Sequence, residues 1–579
     1  MSFKPARILM LGASTLVLAA CGGGGSESAP TPPPPAVVTP PPPPPPPAAQ
    51  SITKMETRAE AARFLRMAGL GADEAVVTAL TDADAADWLI NQMALAPRGY
   101  LDELSSRLSE DDAKNRDSSM LVYERLIRSD AQLRTRMAFA LSQLFVISDR
   151  DDFGRGYALA NYYDILNRNA FGNYRDLLGE VTTNPMMGKY LTYLYNRKGD
   201  PRTGRQPDEN YARELLQLFS IGLVELNMDG TPKTGPDGNP VETFGNDDIV
   251  GLARVFTGYA FAGTSYRFRD RFPDAYRRPM TMYEEHHSDL EKSFLGTTIP
   301  AGTSGEQSVE QALDAVFAHP NVAPFVSRQL IQRFTASHPE PDYVERVATA
   351  FETGRYTSDN DRTFGTGERG DLAATLAAVL LDESVHDDVR VSTEGKVREP
   401  VLKFSQWARE YAKPPTKILV DGEWNRLSDT SDSITSLGQS PMKSPSVFNF
   451  YRPGHIAPGT QTGAAGLTAP ELQIVGSASA LGYVNWMSDY IVRDDRHWEG
   501  AVVPDYTQEL ALADDPAAMI DLIDMRLTAG GLGSDTRAAM LEVIEALPIR
   551  ENNADTDRLS RVRMAMLMAL TSPEYMALD

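Results

Sequence analysis

Residues 119–148, SMLVYERLIRSDAQLRTRMAFALSQLFVIS, set the expectation for the fold. Apolar residues recur in this stretch at intervals of three and four, the spacing that gathers them on one side of a helix. The same spacing returns in later segments such as residues 370–382 and 559–572. Strand candidates are few, and the best is residues 223–244, where two Asp-Gly pairs mark turns. We therefore predict an all-α, mostly helical body with a small β-hairpin embellishment.

The length and charge of the chain limit its organisation and its partners. It has 579 residues, 42% of them apolar, enough for a large core in one very large domain or in several ordinary ones. The helical region contains no fixed-period repeat and no second linker, so we predict a single α-helical domain over residues 52–579, of one or two lobes. The net charge of −23 argues against nucleic acid as a partner, although a locally basic pocket is compatible with it.

The N-terminus predicts export and lipidation. Lys4 and Arg7 precede an apolar run, residues 8–20, that is too short to anchor a chain across a bilayer. The run ends in Leu-Ala-Ala-Cys, which resembles the bacterial lipobox, in which the cysteine at position 21 would carry a diacylglycerol. An ordinary signal peptide with an incidental cysteine is the alternative, but Cys21 is the only cysteine and lies at the predicted cleavage point.

The segment after the lipobox predicts a spacer. Residues 1–20 are assigned as the signal peptide, and residues 21–50 as the lipidated cysteine followed by a disordered tether rich in glycine and proline. Gly22 stands where an aspartate would indicate retention in the inner membrane. We therefore expect an outer-membrane lipoprotein that contacts the membrane through its lipid, and the sequence leaves the leaflet open.

The stretch QPDENYARELLQLFSIGL, residues 206–223, is the first candidate site. It predicts a helix with a wide apolar stripe and two polar pairs spaced four apart, Glu209 with Arg213 and Asn210 with Glu214. Exposed pairs of this kind contribute only about 0.3–0.5 kcal/mol each. Helix physics alone favours a structural role for these four residues, and a catalytic site is the other interpretation.

The second candidate site is YEEHHSD, residues 283–289. Imidazole and carboxylate groups form a suitable ligand set for zinc, manganese or iron. His287 and Asp289 would share a face of an extended segment, which predicts a divalent metal bound by these two residues. Further ligands would be needed, and Glu209 and Glu214 are the candidates. The alternative is a solvated polar loop.

Two other segments have simpler interpretations. Residues 440–459, SPMKSPSVFNFYRPGHIAPG, form a long loop rich in proline, glycine and aromatic residues, which predicts either a core plug or the wall of a site. The plug is the favoured interpretation. Asp371, in an Arg-Gly-Asp triplet, is well placed as the N-cap of a helix that follows it.

The order of several segments resembles a known family. PDENYARELLQLFSIGL, DDIVGLARVFTGYAF, HHSDLEKSFLG and HPNVAPFVSRQLIQRF look like the bacterial domain of unknown function 1800 family, over roughly residues 55–577. The resemblance implies a large, exported, mostly helical bacterial protein, often encoded beside a sulfatase-like family, with no established activity. It raises as site residues those that fall in the recognised motifs: Glu209, Asn210, Arg213, Glu214 and His287. Tyr259 departs from the tryptophan that many relatives show after Thr-Gly.

Two functions follow from these observations. The first is an envelope hydrolase, metal-assisted, that acts on a polymer or glycan. In that hypothesis a carboxylate serves as the base, Arg213 holds an anionic group, and His287 is a metal ligand or an acid. The alternative is a non-enzymatic module that binds an envelope polymer or protein partner.

Overall fold

The computed structural model describes residues 53–71, 73–149, 155–263, 265–266, 274–386, 395–412, 419–420, 423–424, 427, 429–493 and 502–578. The predicted signal peptide, Cys21 and the predicted tether of residues 21–50 lie outside these residues. Within the described part of the chain, no helix combines the length and the apolar character that a bilayer span requires.

Helices dominate the described residues, which confirms the predicted class. The first half contains α1 Arg58–Ala68, α2 Glu74–Leu80, α3 Ala85–Ala94, α4 Tyr100–Ser105, α5 Asn115–Arg128, α6 Gln132–Ser142, α7 Gly156–Arg168, α8 Tyr174–Thr183, α9 Pro185–Tyr190, α10 Asn210–Gln217 and α11 Asn246–Ala253. The second half contains α12 Gly305–Phe317, α13 Val322–Phe334, α14 Pro341–Thr353, α15 Leu372–Leu381, α16 Glu383–His386, α17 Pro400–Tyr411, α18 Gln461–Ala464, α19 Ser477–Ile491, α20 Thr507–Ala511, α21 Pro516–Thr528, α22 Ser534–Glu545, α23 Ala554–Thr571 and α24 Pro573–Met576.

The β-structure consists of short antiparallel pairs. They are β1 Tyr259–Ala260 with β2 Thr281–Met282, β3 Lys292–Phe294 with β4 Thr297–Ile299, β5 Tyr356–Thr357 with β6 Thr363–Phe364, β7 Lys396–Val397 with β10 Ala577–Leu578, and β8 Leu419–Val420 with β9 Glu423–Trp424. The predicted hairpin region, residues 223–244, forms isolated bridges instead of full strands. Both of its Asp-Gly turns form, with Gly230 and Gly238 at the positive φ that such turns require.

Local capping signals place several helix ends. A reciprocal capping box begins α1, in which the hydroxyl of Thr57 accepts from the Glu60 amide and the Glu60 carboxylate accepts from the Thr57 amide. Asp371 is the N-cap of α15 and accepts from the Ala374 amide, as predicted. These caps satisfy amides that a helix leaves without partners at its start.

The described residues share one continuous cluster of buried apolar side chains, which extends from Met55 to Leu578. The loop of residues 440–459 contributes to this interior. Tyr451 is 1% exposed, and its hydroxyl donates to Oε2 of Glu399 over 3.0 Å. The core-plug interpretation of the loop is therefore confirmed at this residue.

Candidate functional site

A cleft of about 900 Å³ opens beside α9, and its wall combines polar and aromatic side chains. Its lining residues come from the end of α9, the turn after it, and the segments around β1 and the short helical turn at Glu284–His286. They are Gly188, Lys189, Thr192, Leu194, Tyr195, Arg197, Phe261, Tyr266, Tyr276 and His286. A volume of this size accommodates a ligand of several sugar rings or an equivalent organic molecule.

The turn after α9 shapes the wall of the cleft through an unusual backbone. Thr192 and Tyr195 have φ values of 63° and 68°, in the left-handed region that non-glycine residues rarely adopt. The amide of Tyr195 donates to the carbonyl of Tyr259 over 2.8 Å, which ties the turn to β1. Such backbone persists only where the surroundings fix it, and it concentrates at functional sites.

Asn196 joins the cleft wall to the start of α10. Its side-chain oxygen accepts from the amide of Asp208 over 2.9 Å, and its side-chain nitrogen donates to the carbonyl of the same residue over 3.3 Å. Its own carbonyl accepts from the amide of Gly258 over 2.8 Å and from the hydroxyl of Tyr266 over 3.3 Å. The buried Asn196 therefore holds the cleft, α10 and β1 in one arrangement.

Aromatic rings and cations alternate along the cleft. The guanidinium of Arg197 lies 5.7 Å from the ring centroid of Tyr266, and the ammonium of Lys189 lies 5.7 Å from that of Tyr276. The His286 ring lies 3.8 Å from the Tyr266 ring. Contacts of this kind orient cations over aromatic faces while the charged groups stay within reach of solvent.

The lysine and arginine side chains of the wall, Lys189 and Arg197, bring positive charge to the cleft. Burial lowers the pKa of His286, and the cations Arg197, Lys198 and Arg205 lower it further, while Glu285 opposes them. Burial has the opposite effect on the acidic phenol of Tyr266 and raises its pKa to about 12. The imidazole is therefore neutral at pH 7, and the positive charge of the wall comes from arginine and lysine side chains.

The helix of the first candidate site is shorter than predicted. α10 begins at Asn210, with Glu209 as the N-cap residue, because the clamp from Asn196 holds Asp208 outside the helix. Leu218 follows the last helical residue, and Gly222 adopts a φ of 72° after a further turn. The predicted apolar stripe is confirmed, with Tyr211 stacked 4.1 Å from Tyr193.

The four polar residues of this helix have different surroundings. Glu209 and Arg213 form the predicted pair at 3.5 Å, with side chains 36% and 42% exposed. Asn210 donates to the hydroxyl of Thr192 over 3.4 Å instead of pairing with Glu214. Because Thr192 lines the cleft, Asn210 is the predicted residue that reaches its edge.

Glu214 lies on the buried side of α10. It is 7% exposed, and its Oε2 atom has no hydrogen-bond partner among the described residues. Burial raises the pKa of its carboxyl group. A carboxyl group in this position holds a proton more readily than a solvated one, which is the property of a general acid or of a protonated buried group.

His287 is also buried, at 2% exposure, and it lies in a different environment from Glu214. Its Nδ1 atom is 2.8 Å from the carbonyl oxygen of Thr257, which only accepts, so Nδ1 carries the proton. Nε2 is then unprotonated, and it has no partner in the described structure. Burial lowers the pKa of the ring, and no described hydrogen bond or ion pair links His287 to Glu214.

The predicted metal ligands do not converge. Asp289 has a side chain that is 74% exposed and lies 3.7 Å from the ammonium of Lys198. His287 donates a hydrogen bond from Nδ1 to the carbonyl of Thr257, which leaves only Nε2 available as a ligand. Among the described residues, no group of three or more histidine, cysteine, aspartate or glutamate side chains is placed to hold a metal ion. The structure therefore does not assemble the ligand set predicted from residues 283–289 with Glu209 and Glu214.

The sequence interpretation missed most of the cleft. Lys189 and Arg197 lie in one stretch, NPMMGKYLTYLYNRKG, in which three tyrosines lie between basic residues. That composition is a signal for a stacking surface, but it carries no indication of which distant segments complete the wall. Tyr266 and Tyr276 enter from such distant segments, and His286 is the neighbour of the histidine that was predicted.

Comparison with known proteins gives one family. A family model described as "Protein of unknown function (DUF1800)" matches residues 63–577. No curated protein and no solved structure matches the chain. The match covers nearly the whole described body, and the chain belongs to this family.

Proposed function

We propose that this DUF1800 protein is a cell-envelope protein whose cleft binds an anionic ligand built of rings, such as a segment of a charged glycan or related polymer. The observation that carries the proposal is the pairing of cations with aromatic faces in one open cleft. Lys189 lies over Tyr276 and Arg197 lies over Tyr266. Both pairs line the same volume of about 900 Å³.

The two kinds of side chain recognise two properties of one ligand. Aromatic faces pack against the apolar face of a sugar ring, and guanidinium and ammonium groups bind carboxylate or sulfate. The cations of the wall are a local exception in a chain with a net charge of −23. At physiological ionic strength the Debye length is about 8 Å, so solvent ions screen the acidic residues elsewhere on the surface. A ligand within the cleft therefore interacts mainly with the nearby cations.

The predicted anchor supports a role at the envelope. A lipid on Cys21 followed by a tether over residues 21–50 would hold the body at a membrane surface, where charged polymers are concentrated. The overall acidity of the chain disfavours a nucleic acid, whose phosphate backbone binds to broadly basic surfaces. A charged glycan is the ligand class that meets both conditions.

Isothermal titration calorimetry with two matched hexasaccharides tests the proposal. Hexagalacturonate carries a carboxylate on each ring, and maltohexaose has the same type of linkage without charge. We expect hexagalacturonate to bind at least about 10-fold more tightly, which is about 1.4 kcal/mol. Its affinity should fall as salt rises from about 50 to 500 mM, because screening weakens the contribution of the cations.

A variant pair separates the cleft from general charge. Arg197→Gln removes a cation from the wall, and Arg202→Gln removes one from the same loop, where the side chain is 91% exposed and pairs with Asp200. We expect the first substitution to weaken hexagalacturonate binding and the second to leave it unchanged. Equal binding of both saccharides, or equal losses in both variants, would count against the cleft.

The hydrolase alternative has one observation in its favour. His286 lines the cleft with a pKa lowered by burial, so its ring is neutral at pH 7 and able to accept a proton from an attacking water. In this alternative His286 would act as the general base, a role that the sequence interpretation gave to a carboxylate, with His287 as a metal ligand or an acid. Asn210, at the start of α10, reaches the edge of the cleft through its hydrogen bond to Thr192.

Release of new reducing ends from hexagalacturonate tests this alternative. A hydrolase would release them, and His286→Gln would abolish the release while the affinity changes little. If the saccharide is unchanged after prolonged incubation with saturated wild-type protein, the hydrolase alternative is excluded and only the binding function remains.

A further inference from the structure

A small cavity of about 20 Å³ lies between buried side chains, apart from the cleft. It is bounded by α1, α6 and α17 and by the short pair of β7 and β10. Five charged side chains line it. They are Arg66, Arg136, Lys396, Arg398 and Glu399. Four of the five are cations, in a region where burial removes the solvation that such charges need.

Two of these cations, Lys396 and Arg398, have no buried donor without a partner. Lys396 forms an ion pair with Glu471, and both side chains are buried. Arg398 donates to the carbonyl of Tyr575 over 3.0 Å and to the side-chain oxygen of Gln406. These contacts leave the other two cations, on α1 and α6, as the charges that the cavity has to accommodate.

Arg66 and Arg136 keep donors without partners. Arg66 is 9% exposed, and its Nε and Nη2 atoms are buried with no hydrogen bond. Arg136 is 3% exposed; its Nη2 donates to the carbonyl of Arg333, and its Nη1 has no partner. On α17, the side-chain nitrogen of Gln406 is a fourth unpartnered donor atom. Native interiors rarely leave so many donors unsatisfied in one place.

No carboxylate around the cavity accepts a hydrogen bond from these unpartnered atoms of Arg66, Arg136 and Gln406. The single carboxylate that lines it, Glu399, accepts on Oε2 from Gln143, Gln439 and Tyr451, and its Oε1 has no partner. Asp524 acts on Arg66 from further away, and burial together with Arg398 keeps the pKa of that guanidinium at about 9. The cavity therefore has an excess of positive charge and of donors.

The size of the cavity limits its occupant. A cavity of about 10–15 Å³ holds one water molecule, so a cavity of about 20 Å³ accommodates one water molecule or one monatomic ion. Acetate, sulfate and phosphate are larger than that. A single water accepts few hydrogen bonds and carries no charge, whereas a monatomic anion accepts from several donors and offsets the charge of the guanidinium groups.

We infer that this cavity binds one halide ion, chloride under ordinary conditions, held by Arg66, Arg136 and Gln406. The site differs from the cleft in size and in burial. It does not depend on the proposed glycan binding. Its consequence is structural, because an anion that binds only the folded chain raises the stability of that state.

Thermal unfolding of the full chain in different sodium salts at one ionic strength tests the inference. We expect chloride and bromide to raise Tm by at least about 2 °C over gluconate, since gluconate cannot enter the cavity and screening is held constant. Crystals grown in bromide should show an anomalous peak among Arg66, Arg136 and Gln406. Equal Tm values in all three salts, with no peak, would show that a water fills the cavity and would overturn the inference.

A single substitution separates halide binding from a general salt effect. Gln406→Glu keeps the oxygen that accepts from Arg398 and places a permanent negative charge beside the cavity. We expect this variant to lose its dependence on halide and to unfold in gluconate at a higher Tm than wild type does. Arg202→Gln, on the exposed loop, should keep the full halide response. A halide response that persists in Gln406→Glu would contradict the site.

Discussion

The cleft and the interior cavity both collect cations in an acidic protein, and they differ in what surrounds those cations. In the cleft, Lys189 and Arg197 are exposed and lie over tyrosine rings. In the interior, Arg66 and Arg136 are buried and retain donors with no partner. The difference shows how solvent access changes the chemistry open to one residue type: exposed cations keep their charge available to a ligand, as we propose for the cleft, whereas buried cations need compensation within the fold.

The largest effect should come from the carboxylate of the interior. Glu399→Leu removes the acceptor of three hydrogen bonds and leaves the buried cations with less compensation. We expect the free energy of unfolding to fall by about 3–5 kcal/mol, measured by urea denaturation. Glu551→Leu, on the exposed surface, should change it by less than about 0.5 kcal/mol. A loss below about 1 kcal/mol in Glu399→Leu would end the distinction between the two regions.

The next largest effect should come from an interior lysine, Lys403, whose replacement should raise the free energy of unfolding. Burial lowers the pKa of Lys403 from 10.5 to about 7, with Arg398 contributing, and its ammonium lies 4.2 Å from the Tyr483 ring centroid. The folded chain therefore binds fewer protons than the unfolded chain between pH 7 and 10.5. The free energy of unfolding therefore rises with pH in that window. Below pH 7, Lys403 is charged in both states, and the cost of burying that charge destabilises the fold in full.

Lys403→Met should remove this penalty. We expect the variant to be more stable than wild type by on the order of 3 kcal/mol at pH 6, with a gain that shrinks as pH approaches 10.5. Urea denaturation at pH 6 and at about pH 9.5 measures the difference. A gain of the same size at both values would mean that packing, and not charge, causes it.

A cleft lysine should show the reverse pattern. Lys189→Gln removes an exposed cation near Tyr276, so we expect hexagalacturonate affinity to fall about 10-fold. Its free energy of unfolding should stay within about 0.5 kcal/mol of wild type, since surface substitutions rarely exceed that. A large loss of stability with unchanged affinity would place Lys189 with the interior cations and break the comparison.

The smallest effect should come from the exposed ion pair at the start of α10. Glu209→Gln breaks the contact with Arg213, in which both side chains are more than one third exposed. We expect a loss of about 0.3–0.5 kcal/mol and no change in hexagalacturonate affinity. A marked loss of affinity would instead support the catalytic role predicted for Glu209 from the sequence.

Features that depend on neighbours in the chain were predictable. The helical spacing of residues 119–148 became α5 and α6, and Asp371 caps α15, because both signals involve residues within one or two turns. The start of α10 was predicted too early, since the clamp by Asn196 on Asp208 joins residues twelve positions apart through a turn with positive φ. Such contacts leave no periodic pattern in the sequence.

The two cation sites were beyond prediction for the same reason. The cleft needs Lys189 and Arg197 from one segment and Tyr266 and His286 from others. The cavity brings together residues as distant as Arg66 and Gln406. The sequence marked His287 as a site residue by its rarity and its acidic neighbours, and the structure places the adjacent histidine at the cleft instead. The orientation of neighbouring side chains in a short helical turn decided which of the two faces the cleft.

A crystal structure of the full chain with hexagalacturonate tests the proposed cleft most directly. We predict that the saccharide lies in the cleft, with carboxylates at Lys189 and Arg197 and ring faces on Tyr266 and Tyr276. A saccharide bound at another surface, or a cleft left empty at a saturating concentration, would contradict the proposal.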